Sequence, residues 1–249
     1  MRLSGKSGII TGASSGIGEA AARRFVSEGA KIVVCARRED RLSALADEFG
    51  RDTVRVIVGD VGDEAVQKAL VDTCLTAFGS LDFAFNNAGI TGSGAMLADL
   101  STEEWGDVIK TNLTSCYLAA KFQLPVMQAQ GRGSLVFTSS FVGHTIGLPG
   151  MSAYAASKAG INGLVQVLAV EAGASGVRVN ALLPGGTLTE MAGQDPGFHD
   201  YVAGLHALER LAKADEIANA ALFLCSDEAG FVTGSAMLVD GGNSICKAG

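Results

Sequence analysis

The chain has 249 residues, 48% apolar and 18% charged, with a net charge of −7 at pH 7. That balance allows a sizeable core, and the acidic excess argues against a general binder of nucleic acid or anionic membrane. The 33 glycines are spread without a fixed period, which excludes a collagen-like chain and predicts many tight turns.

Short apolar runs predict strands at 8–11, 31–35, 54–58, 81–86, 134–138, 177–182 and 236–239. Amphipathic stretches between them predict helices at 16–28, 38–48, 63–78, about 103–129, 153–172 and 214–226. Buried strands alternating with helices imply an α/β fold: a Rossmann-like, doubly wound parallel sheet of about seven strands with helices on both faces. No linker, repeat or low-complexity segment interrupts the pattern, so residues 1–249 read as a single domain. The stretch 186–212 is the least regular. It is too long for an ordinary connection and reads as a lid or an embellishment.

The first turn, Thr11-Gly12-Ala13-Ser14-Ser15-Gly16-Ile17-Gly18, lies between a strand and a helix. Glycines there let the backbone approach a pyrophosphate, and the helix N-terminus offers free N–H groups. The spacing is GxxxGxG rather than the commoner GxGxxG. The second strand ends at Cys35-Ala36, followed by Arg37 and Arg38. An NAD site places an acidic side chain about 20 residues past the turn, on the ribose 2′-hydroxyl. Here Ala36 stands at that point. A guanidinium suits a 2′-phosphate by charge and fork geometry, so the pair predicts NADP(H) over NAD(H). Arg37 and Arg38 equally suit the solvated start of a helix. The third strand runs into Gly59-Asp60-Val61. Asp60 can accept from an adenine amino group or cap the following turn. The fourth ends at Asn86-Asn87-Ala88-Gly89, polar groups at a carboxyl end that border a cofactor crevice, although Asn also favours left-handed turns.

Tyr154 and Lys158 share a helix face, four residues apart. A fixed ammonium favours a neighbouring phenolate and moves the tyrosine towards useful acid/base chemistry. By itself this spacing is more often an ordinary helix face.

Cys35, Cys74, Cys116, Cys225 and Cys246 are scattered, with no CxxC. They read as reduced thiols of a cytoplasmic protein. His144, His199 and His206 form no metal-ligand spacing, so no metal is expected. The chain enters its first strand almost at once, without a signal-like segment, and no apolar run approaches the ~18 residues of a membrane span.

Taken together, TGASSGIG at 11–18, Asp60-Val61, NNAG at 86–89, Asn112, Ser139-Ser140, YxxxK at 154–158 and Pro184-Gly185 resemble the short-chain dehydrogenase/reductase family over essentially the whole chain. The resemblance implies a hydride-transferring oxidoreductase for a carbonyl or secondary alcohol. It makes Tyr154 the proton donor or base. Lys158 would lower the tyrosine's pKa and hold the nicotinamide ribose, and Ser140 would hydrogen-bond the substrate oxygen. Asn112, within the long helix 103–129, would hold a water linking Lys158 to solvent. Many members place the serine thirteen residues before the tyrosine, where this chain has Phe141. Ser140 fits the S-x-x-G pattern with one inserted residue, and Ser139 competes. Gly12, Ser14, Ser15, Gly16, Ile17, Gly18, Asn87, Ala88 and Gly89 would border the cofactor. Pro184, Gly185, Thr187 and Thr189 would cup its carboxamide, with Glu190 replacing the family's usual Asp. Residues 190–210 would close over a small-molecule substrate, with His144, His199, Tyr201 and His206 as possible lining. Helices 103–129 and 153–172 would pair between subunits of a homotetramer. The rival within the class is 3-oxoacyl-carrier-protein reductase, which needs a basic docking patch, with Arg132 and Arg178 as candidates. The rival outside it is a non-catalytic dinucleotide sensor, which usually loses the tyrosine or lysine kept here.

Overall fold

A computed structural model describes residues 1–246. Its strands are β1 (Ser7–Thr11), β2 (Lys31–Ala36), β3 (Val54–Val58), β4 (Phe83–Asn86), β5 (Gly133–Thr138), β6 (Val177–Pro184), β7 (Thr187–Leu188), β8 (Ala212–Lys213) and β9 (Ala236–Val239). Seven of these form one parallel sheet in the order β3-β2-β1-β4-β5-β6-β9, while β7 pairs with β8 alone. The helices are α1 (Gly16–Ser27), α2 (Glu39–Phe49), α3 (Glu64–Phe78), α4 (Thr102–Ile109), α5 (Ser115–Gln130), α6 (Ser152–Gly173), α7 (Pro196–Gly204) and α8 (Ala214–Cys225).

The central strands are apolar throughout because both sheet faces are covered. Side chains alternate across a strand, so Ile10, Val34 and Phe85 pack with α1, α2 and α8 in one core. Ile9, Val33, Ala84 and Phe137 pack with α3, α5 and α6 in the other. Phe25 of α1 meets Phe83 edge-on, with ring centroids 5.4 Å apart. The strand order reverses on either side of β1, which leaves a crevice at the carboxyl ends of β1 and β4.

Two expected elements differ. The predicted helix 103–129 is α4 and α5 joined by a π-helical turn, Lys110–Thr114. Hydrophobic periodicity does not register a single π-helical turn within a longer helical stretch. The irregular stretch 186–212 is also more ordered than expected, holding β7, α7 and β8. Asp195 accepts from Gly197 N at 2.9 Å, and Pro196 stands in the first turn of α7. Both are helix-start devices.

Candidate active site

The crevice between β1 and β4 opens into a cavity of about 410 Å³, within the range of small-molecule sites. Its floor is the glycine turn. Gly12 and Gly16 have φ of 69° and 56°, in the left-handed region that only glycine adopts freely. A Cβ on Gly18 would lie 2.2 Å from Gly12 O, and one on Gly12 would lie 2.9 Å from Ala88 Cα. The turn is therefore packed to contact distance, with its face open to the cavity at Ser14, Ser15, Gly16 and Ile17. Thr11 Oγ1 accepts from the N–H groups of Asn87 (3.0 Å) and Ala88 (3.2 Å), tying the Asn87-Ala88-Gly89 segment to the turn.

At one end Arg38 donates from Nε to Ser14 Oγ (3.2 Å), from Nη2 to Ser15 Oγ (2.7 Å) and from Nη1 to Glu190 Oε2 (2.7 Å). Arg37, exposed, lines the same end. Asp60 Oδ1 accepts from Gly62 N at 2.8 Å, a local turn, while Asp60 and buried Val61 also line the cavity. This end offers backbone N–H groups at a helix start and two guanidinium groups. That donor set fits the phosphates of a dinucleotide.

At the other end α6 carries Tyr154 and Lys158 on adjacent turns of one face, and β5 delivers Ser139 and Ser140. The two serines have different partners. Ser139 Oγ donates to Lys158 O at 2.8 Å and pins α6 to the strand end. Ser140 lies beside the Tyr154 hydroxyl, and its Oγ accepts from Val142 N at 3.1 Å. Lys158, 3% exposed, donates from Nζ to Thr138 O at 2.6 Å and sits 5.5 Å from the Tyr154 ring centroid.

The electrostatics correct one expectation. Burial dominates the phenol and raises it above its ordinary value, with the Ser140 hydrogen bond working in the opposite direction. The same burial pushes the Lys158 ammonium down to about 8, and its proton is directed to the Thr138 carbonyl.

Asn112 ties two parts of the site together. It sits in the π-helical turn, fully buried. Its Oδ1 accepts from Ile90 N (2.8 Å), and its Nδ2 donates to Ile90 O (2.9 Å) and Ser157 Oγ (3.0 Å). The side chain thus fixes the segment after β4 to α6.

Beyond β6, Pro184, Gly185, Thr187 and Thr189 line the cavity. Thr187 Oγ1 donates to Gly185 O at 3.0 Å, and Thr189 packs on Gly16. Sequence reasoning left His206 as a possible lining residue, but it is buried outside that wall. Its Nε2 accepts from Gly186 N at 3.0 Å, which leaves the proton on Nδ1, 2.6 Å from Val202 O. Gly185 and Gly186 leave room for the ring, a signal visible only once the chain is folded. His144 and Tyr201 are exposed, and His199 lies 3.2 Å from Gly193 O. None of the three lines the cavity. Leu148, Met151, Met191 and Phe198 do, with no motif to mark them.

Arg132 and Arg178 stand at the opposite end of the sheet. Arg178, in the first turn of β6, donates to the carbonyls of Leu224 (2.9 Å) and Ser226 (2.9 Å). Arg132 pairs with Asp82 at 3.0 Å. The strands place these guanidinium groups roughly 20 Å from the cleft, so they form no docking patch beside it.

The sequence pattern described as Enoyl-(Acyl carrier protein) reductase matches residues 12–244. The chain is 38% identical to 2,5-dichloro-2,5-cyclohexadiene-1,4-diol dehydrogenase of Sphingobium indicum, covering 96% of this chain and 97% of that one. It is 37% identical to the 3-oxoacyl-[acyl-carrier-protein] reductase of Escherichia coli, over 97% and 98% of the two chains. The crystal structure of levodione reductase superposes with a TM-score of 0.93 at 34% identity, over 99% of this chain and all of that one.

Proposed function

The chain belongs to the short-chain dehydrogenase/reductase family and is an oxidoreductase of alcohol and carbonyl substrates, and from that premise we propose an NADP(H)-dependent carbonyl reductase/alcohol dehydrogenase with Tyr154 as its acid/base. The observation that carries this reading is the gathering of Ser140, Tyr154 and buried Lys158 on one wall of the cleft, opposite the glycine turn. The bound dinucleotide would supply or accept the hydride. A substrate carbonyl oxygen placed between the Ser140 and Tyr154 hydroxyls accepts from both. Because burial keeps the phenol protonated, Tyr154 is set to donate its proton as alkoxide develops. Ser140 polarises the carbonyl and holds the phenol. Lys158, with a pKa lowered by burial to about 8, resupplies charge and proton to the tyrosine and binds ribose hydroxyls.

The preference for NADP(H) rests on Arg37 and Arg38 at the adenosine end and on Ala36 in place of an acidic residue. On the same reading residues 1–249 form one cytoplasmic domain, residues 190–210 cover the substrate, and helices 103–129 and 153–172 join four copies. The carrier-protein reductase reading keeps a 37% identical relative but loses Arg132 and Arg178 as a docking patch, since they are engaged at the far end of the sheet. The test is Tyr154→Phe. Turnover of ketones with NADPH should fall about 10³-fold, while the NADPH dissociation constant stays within about threefold, since the missing hydroxyl serves the proton step. Substantial residual turnover would overturn the assignment.

A further inference from the structure

The cavity is divided by charge. Its charged lining residues, among those described, are Arg37, Arg38 and Asp60 at the adenosine end and Lys158 behind Tyr154. The walls beyond Ser140 and Tyr154 are Ile90, Leu148, Met151, Met191, Phe198 and Val202. None of these side chains can neutralise an anion.

The segments that carry those walls have the same bias. Residues 90–109 contain no Lys or Arg but include Asp99, Glu103, Glu104 and Asp107. Residues 141–151 contain no charged residue. Residues 190–204 contain Glu190, Asp195 and Asp200 with no Lys or Arg. Glu190 is paired with Arg38, whereas Asp99, Glu103, Asp107, Asp195 and Asp200 are exposed. An anion approaching these segments meets like charge, and inside the pocket none of the wall side chains named above can pair with it.

Resting on the reductase reading above, we propose that the substrate is an uncharged, predominantly apolar ketone or secondary alcohol. Carboxylates, phosphorylated thioesters and substrates carried on an acidic protein are rejected by the pocket and its rim.

Matched pairs of keto esters and their free keto acids test this, with linear, monocyclic and aromatic members, alongside acetoacetyl-coenzyme A. Each ester has nearly the volume of its acid and differs in charge. With NADPH at pH 7, each ester that is turned over should exceed its acid by about thirtyfold or more in kcat/KM, because an unpaired buried carboxylate is strongly disfavoured. The residual acid rate should rise with added salt as the rim is screened, while the ester rate stays flat. An acid within thirtyfold of its ester, or acetoacetyl-coenzyme A as the best substrate, would overturn the inference and leave the reductase reading intact. Absence of turnover across the panel, with NADPH still quenching protein fluorescence, would instead remove the reductase reading and this inference with it.

Discussion

Lys158 shows what the site costs the fold. Burial lowers its pKa from 10.5 to about 8, so the folded chain favours the neutral amine. The penalty for keeping the charge is fully present below about pH 8 and is relieved as pH rises from there to 10.5, so stability gains over that window. A shift of this size corresponds to something on the order of 3 kcal/mol. Lys158→Met should therefore abolish turnover yet raise the melting temperature at pH 7 by a few degrees, the gain fading towards pH 10.5. Calorimetry across that range checks the sign. A variant less stable than wild type at pH 7 would mean that the Thr138 hydrogen bond outweighs desolvation. Arg38 gives a second prediction at this scale. Glu190 occupies one edge of its guanidinium and would compete with a 2′-phosphate for that charge. Glu190→Gln should tighten NADPH binding about three- to tenfold, as expected for removing one partly screened competing charge, with little change for NADH. Arg38→Leu should act in the opposite direction. Equilibrium fluorescence titration of both cofactors reads each effect.

The elements that matter most are those in which the chain departs from regular structure. The π-helical turn at Lys110–Thr114 brings Asn112 under the segment after β4, and three side-chain hydrogen bonds hold it there. Replacing it with Leu, close in size, leaves the part-buried Ile90 N–H and C=O without those partners. At about 1 kcal/mol or more for each lost bond, Asn112→Leu should lower the melting temperature by several degrees. It should also loosen residues 90–101, read as faster amide exchange there. The glycine turn is comparably intolerant. Gly18→Ala forces its methyl onto Gly12 O and must open the floor of the cleft.

On the scale of the whole molecule, the two covered faces of the sheet account for the core, but the outer sides of α5 and α6 are not fully polar. Tyr117, Val167 and Val170 are exposed at 52%, 55% and 84%, while the opposite sides of these helices pack on the sheet. Helices apolar on more than one side need a further partner. Light scattering should give four times the 25.4 kDa chain mass. Val167→Glu with Val170→Glu should break that assembly into smaller species while far-ultraviolet dichroism is preserved. A wild-type mass of 25.4 kDa would refute the tetramer.

The strand–helix alternation, the glycine turn after β1 and the spacing of Tyr154 and Lys158 were legible in the residues alone. Each depends on a local rule, periodicity or backbone freedom, that acts within a few positions. Charge and composition likewise pointed to Arg37 and Arg38 at the end of β2. Folding decided what depends on distant partners. It separated Ser139, bonded to Lys158 O, from Ser140, set beside the Tyr154 hydroxyl. It committed the Asn112 side chain to Ile90 and Ser157, moved Arg178 to the far end of the sheet and made the substrate wall apolar. It also reversed the expected direction for the phenol, because desolvation depends on what surrounds a group in space, and residue spacing carries no measure of that.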